Sequence, residues 1–255
     1  MTQIEKAKTF HYLHRKGVPV VLYNIWDAGS ALAVEYAGAK AIATGSHSVA
    51  AANGFDDGEN LPLDLVLANI ERIVDAVTCP VTLDFEGGYA TDPETLKKNI
   101  HKVIATGAVG INFEDQVVGG EGLYPIDEQS IRIAAIREVA DEAGVQLFIN
   151  ARTDVFLRTD PAEHTHDRLE EVLTRATAYA RAGASGLFAP GLRDPDLIRE
   201  VCDRSPLPVN ILVMPDTPTN DEMAALGVAR ISYGPGPYRK MMEELRSAAS
   251  SVYAT

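Results

Sequence analysis

Val81-Thr82-Leu83-Asp84-Phe85-Glu86-Gly87-Gly88-Tyr89 reads as a short apolar strand that ends in two carboxylates and two glycines. Side chains of an extended strand alternate, so Asp84 and Glu86 are expected on one side of it. Farther along, Gly110-Ile111-Asn112-Phe113-Glu114-Asp115-Gln116 repeats the pattern, an apolar strand running out into acid. Two neighbouring strand ends of this kind bring three or four carboxylates together. Carboxylates so close repel one another, and they stay ionised most easily around a hard cation such as Mg²⁺.

Working outward, the same signal recurs. Apolar runs at residues 20–26, 39–46, 147–153, 186–190, 208–213 and 230–234 join 81–86 and 110–116 as strands. Near-continuous apolar runs mark strands buried on both faces, as in parallel sheets. Helical patterns separate them, for example 63–77, 127–144 (closed by Gly144) and a stretch opening at Thr91-Asp92-Pro93-Glu94. Eight strand signals alternate with eight helix signals after one extra N-terminal helix at residues 3–16. That count predicts a single (β/α)8 TIM-type barrel domain over residues 1–255, with a doubly wound open sheet as the alternative.

Composition narrows the partners. A net charge of −13 on 255 residues argues against nucleic acid or an anionic membrane as partner. It leaves room for a small anion, because a metal and one or two arginines reverse the sign locally. Cys79 and Cys202 have no metal-ligand spacing; Cys79, just before a strand, reads as a buried structural thiol, and this cysteine usage fits a reducing, cytoplasmic setting. The opening residues carry no apolar leader, and no apolar run is long enough to span a bilayer.

In such a barrel the site lies at the C-terminal strand ends. The candidates are Trp26 and Asp27, Ser46 and His47, Asp84 and Glu86, Glu114 and Asp115, Arg152 and Asp154, and Asn210. Asp27 also reads as a helix cap, Asp115 as a structural acid, and Asp154 as a partner for Arg152 two residues earlier. A metal held by Asp84, Glu86 and Glu114, partly through water, gives the acids a cation. Arg152 then offers a fork of donors to a substrate carboxylate or phosphonate, with Ser46 at the other end of the anion. An α-oxo acid suits this pairing, because the metal stabilises the enolate formed when a neighbouring bond breaks.

These residues resemble the isocitrate lyase / phosphoenolpyruvate mutase superfamily over nearly the whole chain. The resemblance rests on six motifs in order: residues 23–31, Gly45-Ser46, 84–89, 111–115, Asn150-Ala151-Arg152-Thr153-Asp154, and Pro208-Val209-Asn210. It implies an α/β barrel, Mg²⁺ (with Mn²⁺ as a substitute), an enolate intermediate, and a homo-oligomer, dimer or tetramer, with exchanged terminal helices. By position, Asp84, Glu86 and Glu114 match the metal-binding acids, and Ser46 and Arg152 the substrate-carboxylate contacts. Asp56 or Asp57 matches a loop aspartate near the metal, with Asp57 preferred. The expected set is therefore Arg152, Ser46 and Glu114 for catalysis; Trp26, Ser46, His47, Arg152 and Asn210 for substrate; and Asp84, Glu86, Glu114 and Asp57 for metal.

The chain departs from that family on the loop after the fourth strand. Isocitrate and methylisocitrate lyases carry Lys-Lys-Cys-Gly-His there, and the phosphonate enzymes place lysine and asparagine. Here the loop is Gln116-Val117-Val118-Gly119-Gly120-Glu121-Gly122-Leu123-Tyr124-Pro125. The resemblance therefore implies a simpler C–C lyase, oxaloacetate-decarboxylase-like or methylisocitrate-lyase-like. A phosphonomutase or phosphonopyruvate hydrolase is the alternative, and a weakly active α-oxo acid binder is a third.

Overall fold

The computed structural model describes residues 1–254. Eight parallel strands form one sheet in the order β1-β8-β7-β6-β5-β4-β3-β2. They are β1 (Val20–Leu22), β2 (Ile42–Ala43), β3 (Val81–Asp84), β4 (Gly110–Glu114), β5 (Phe148–Arg152), β6 (Gly186–Phe188), β7 (Val209–Leu212) and β8 (Arg230–Ser232). The last gap, between β1 and β2, is spanned by one isolated parallel bridge, Ile25 to Thr44. The result is a nearly closed barrel wrapped by helices, which is the expected architecture rather than the open sheet.

The helices are α1 (Gln3–Leu13), α2 (Ala28–Tyr36), α3 (Ser46–Ala52), α4 (Leu63–Ala76), α5 (Pro93–Ala105), α6 (Ile126–Glu142), α7 (His166–Arg181), α8 (Pro195–Arg204), α9 (Asn220–Ala225) and α10 (Gly236–Tyr253). Local chemistry starts several of them. Thr2 and Glu5 form a reciprocal capping box on α1, and Asp92 caps α5 ahead of Pro93. Asp27 caps α2 through the Ser30 N–H at 2.7 Å, which is the plain reading of that residue.

Helix α1 closes the N-terminal end of the barrel. Its Phe10 is fully buried, and a Cβ on Gly110 would meet the Phe10 ring at 2.8 Å. At that position only glycine lets the plug seat. His14 stacks on Phe148 at 3.9 Å, and burial pushes it down to about 3, so it packs as a neutral ring. At the other end of the chain, Pro237 is the single buried residue of α10, and Met241, Leu245 and Val252 are exposed.

Two local expectations change. Residues 39–46 were expected as one strand, but β2 covers only Ile42–Ala43, and Ser46 opens the short helix α3 instead. The run Ser48-Val49-Ala50-Ala51-Ala52 is small enough to coil tightly there. Likewise, Asp84 is the last residue of β3, and Glu86 sits in the left-handed region at φ 50°. Strand alternation therefore does not carry Glu86 to the side of Asp84; the turn does.

Candidate active site

One cavity, about 730 Å³, is an apolar groove on the outer side of β1 lined by residues such as Tyr12, Val21 and Val34. It holds no cluster of chemical groups. The chemistry converges on a cavity of about 240 Å³ at the C-terminal strand ends, whose lining includes Ser46, His47, Asp57, Asp84, Asn112 and Arg152. Of the two loop aspartates, Asp57 is the one on that lining.

Asp84 is held at the end of β3 by neighbours on both sides. The Ser46 N–H donates to its Oδ2 at 3.0 Å, and Asn112 Nδ2 to its Oδ1 at 3.3 Å. Thr44 Oγ1 accepts from the Asp84 backbone N–H at 2.9 Å, tying β2 to the same residue. Glu86 is reached from the loop before α4: the Glu59 N–H donates to its Oε2 at 2.8 Å. Glu59 returns the contact by accepting from the Tyr89 N–H at 2.7 Å. Glu59, Glu86 and Tyr89 all have positive φ, so two strained turns lock against each other beside the cavity.

Glu114 and Arg152 face each other across paired strands. Arg152 Nη1 lies 2.8 Å from Glu114 Oε2, while its Nε and Nη2 form a fork onto Asp154 at 2.6 and 2.8 Å. Burial works against the Arg152 charge, but Glu114 and Asp154 more than restore it and hold the group firmly cationic. A guanidinium has five N–H groups, so two remain for a ligand.

The acids are less well matched. Burial pushes Glu86 up to about 7, and Asp84 and Asp57 add to the rise. Burial pushes Glu114 up to about 8; Arg152 opposes this, and Asp154, Asp84 and Glu86 reinforce it. The cluster thus carries more negative charge than Arg152 neutralises, and all its donors are oxygen. That chemistry fits a hard dication. Among the described residues no three acids are already grouped at direct-ligating distance. The fit is therefore of the kind Mg²⁺ accepts, with few protein oxygens and several bridging waters.

Other expected residues fall elsewhere. Asn210 is buried beneath the cavity, and its partner Ser232, whose hydroxyl donates to Asn210 Oδ1 at 2.8 Å, is the one on the lining. Trp26 packs edge-on against Tyr238 at 5.1 Å and is not on the lining. Asp115 is turned away from the cavity. It accepts from Tyr179 Oη at 2.8 Å and pairs with Arg175 at 3.1 Å.

Several residues went unread. Asn112 and Ser232 sit two residues from Glu114 and Arg230 on their strands, so alternation was the signal available for them. Arg230 is 1% exposed inside the barrel, and its Nη2 donates to Asn112 Oδ1 at 3.0 Å. Asn150 donates to the same oxygen at 2.9 Å. These two donors orient the Asn112 amide so that its nitrogen faces Asp84. A buried arginine of this kind leaves no mark in a hydrophobic pattern.

Comparison with known proteins bears on the family and the fold. Residues 10–253 match the family described as phosphoenolpyruvate phosphomutase. The 2-methylisocitrate lyase of Escherichia coli is 29% identical, over 97% of this chain and 83% of that protein. A crystal structure from Burkholderia cenocepacia J2315, provisionally named a phosphonomutase, is 50% identical and superposes with a TM-score of 0.95, covering 99% of this chain and 100% of that one. A phosphonopyruvate hydrolase solved with oxalate and Mg²⁺ shares the fold at 21% identity, with a TM-score of 0.85 over 100% of this chain and 88% of that one. The chain belongs to the phosphoenolpyruvate mutase / isocitrate lyase family.

Proposed function

We propose that this family member is a Mg²⁺-dependent lyase that cleaves a C–C bond of a small α-oxo or 2-hydroxy carboxylic acid through an enolate. The observation that carries the reading is a firmly cationic Arg152, with N–H groups to spare, on the same cavity lining as Asp57 and Asp84. Asp84, Glu86, Glu114 and Asp57 would hold the ion, through oxygen directly or through water. Bound Mg²⁺ supplies Lewis-acid stabilisation of the developing oxyanion. Arg152 takes the substrate carboxylate in its remaining donors, and Ser46 and His47 are on the same cavity lining.

Decarboxylation of an oxaloacetate-type acid asks least of this site. Loss of CO2 leaves the bonding electron pair on the enolate, and a proton from solvent completes the oxo acid. No protein acid is required for the bond to break. The hairpin after β4 supplies none at the cavity: Glu121 is exposed, and the Tyr124 ring is covered by the Arg132 guanidinium at 4.1 Å. The 50% identity to the protein provisionally named a phosphonomutase favours phosphorus–carbon chemistry as a second reading. One assay separates them. With Mg²⁺, pyruvate from oxaloacetate without phosphate supports the lyase, and phosphate from phosphonopyruvate supports the alternative. If Arg152→Lys leaves turnover unchanged, the clamp assigned here is wrong.

We also read the chain as a homo-oligomer, dimer or tetramer. The exposed apolar residues of α10 and the apolar groove beside β1 support that reading. Sedimentation velocity distinguishes it from a monomer.

A further inference from the structure

Inside the barrel lies a buried charge that the chemistry above does not use. Arg230 is 1% exposed, and its partners are neutral groups: Nη2 donates to Asn112 Oδ1 at 3.0 Å and Nε to Ser232 Oγ at 3.4 Å. Its Nη1 has no hydrogen-bond partner among the described residues. Burial lowers the group to about 9, and Asp84 opposes the fall, so the guanidinium remains a cation at neutral pH. Burying a cation among neutral groups costs free energy that a hydrocarbon side chain of similar length would not.

The topology shows where that charge is delivered. Arg230 leaves β8 and Asn112 leaves β4, on opposite sides of the eight-stranded barrel. The arginine therefore crosses the interior, and it ends one side chain short of Asp84, whose Oδ1 accepts from Asn112 Nδ2 at 3.3 Å. An amide has a donor end and an acceptor end, a guanidinium only donates, and a carboxylate only accepts. With Arg230 on one side of Asn112 and Asp84 on the other, a single orientation of the amide satisfies both. Asn150 Nδ2 also donates to Asn112 Oδ1, at 2.9 Å, but an amide can turn over, and Asn150 Oδ1 has no partner to hold it. Arg230 has no acceptor to turn. The other oxygen of Asp84, Oδ2, accepts from the Ser46 N–H at 3.0 Å, so each carboxylate oxygen is pinned by one donor.

We infer that Arg230 is a positioning residue for the metal site: it fixes the Asn112 amide from across the barrel, and Asn112 holds the Asp84 carboxylate in the orientation that takes the ion. The consequence for metal rests on the reading of Asp84 as a metal-holding acid; the link from Arg230 through Asn112 to Asp84 does not.

The test is a double-substitution cycle on the whole chain, with two readouts: calorimetric Mg²⁺ binding, and the ¹³Cγ resonance of Asp84 in the metal-free protein at fixed pH. Arg230→Met removes the donors and keeps the length, and it should weaken Mg²⁺ binding about tenfold. A packing role alone would instead lower the urea midpoint and leave the affinity of the folded protein unchanged. Arg230→Lys keeps a donor-only cation and should bind within about threefold of wild type. In an Asn112→Ala background, Arg230→Met should cause no further loss, because the amide that carries its effect is gone. The Asp84 resonance should likewise move with Arg230→Met only while Asn112 is present. Arg230→Gln runs the same cycle if the Met variant does not fold, since its amide no longer dictates which end of Asn112 it meets. Wild-type affinity in Arg230→Met, or an equal further loss in the Asn112→Ala background, overturns the inference. If the wild type takes up no Mg²⁺, the metal reading falls, and the Asp84 resonance decides alone: a response to Arg230 that requires Asn112 sustains the positioning role, and any other response ends it.

Discussion

Glu114 and Asp115 are consecutive acids at the end of β4, and they live in opposite circumstances. Both are buried, and burial raises both above the ordinary carboxylate range. Asp115 faces outward into a filled set of donors: Arg175, Tyr179 and the Asp154 N–H at 3.1 Å. Arg175 also donates to the Tyr124 carbonyl at 3.0 Å, which ties the hairpin after β4 to α7. Glu114 faces inward to one arginine that it shares with Asp154, among further acids. The same residue chemistry holds the fold on one face of the strand and stays short of positive charge on the other. Polar groups buried for stability come fully partnered; a shortfall marks the place where a ligand completes the set.

The widest break in this comparison should come from Asp115→Ala. It strips Arg175 of one of its two carboxylates, Glu171 remaining at 3.2 Å, and leaves Tyr179 Oη and the Asp154 N–H without their acceptor, so a loss of about 3 kcal/mol is expected in urea unfolding. A loss below about 1 kcal/mol would make the outer cluster dispensable and the contrast empty.

Glu114→Gln should do the reverse. Arg152 keeps its fork onto Asp154, so stability should stay within about 1 kcal/mol of wild type. The rise in melting temperature given by Mg²⁺ with oxalate should vanish. If that stabilisation persists, Glu114 is not part of the ion site.

The inner acids also predict a pH dependence. Glu86 is raised to about 7 and Glu114 to about 8. The folded state therefore keeps protons that the unfolded chain, with ordinary carboxyls, has already released. Metal-free stability should fall as pH rises from about 5 to 8, because the unfolded state binds fewer protons across that window. Mg²⁺ competes with the same protons, so its affinity should climb about tenfold per pH unit while one proton is displaced. In Glu114→Gln the fall in stability should end near Glu86 alone, about one pH unit lower. A pH-independent melting curve for the metal-free protein would contradict the charge shortfall.

The smallest effect is expected at Glu59, which joins the two turns around Glu86. Glu59→Ala leaves the Tyr89 N–H without its acceptor, and a loss of about 1–2 kcal/mol should follow. Mg²⁺ affinity should weaken several-fold, as measured by calorimetry. Unchanged affinity would show that Glu86 is placed without help from that loop.

Residue order alone reveals how the strands and helices alternate, and it points to Asp84, Glu114 and Arg152 as strand-end groups. These follow from the period-two and period-3.6 rules, which act over a few residues and need no knowledge of neighbours. The bland readings of Asp27 as a cap and Asp154 as the partner of Arg152 were legible for the same reason. Other features depended on distant segments. Glu86 arrives beside Asp84 through a left-handed turn that Glu59 braces from another loop. Asn112 owes its orientation to Arg230, far along the chain, and Asn210 yields its place on the cavity to Ser232. The apolar residues of the cavity lining, among them Leu157, Phe188, Leu212 and Met214, come from the ends of separate strands that share no local pattern. Tertiary structure decided these points, because which buried polar group finds a partner depends on the packing of the closed barrel and not on its neighbours in sequence.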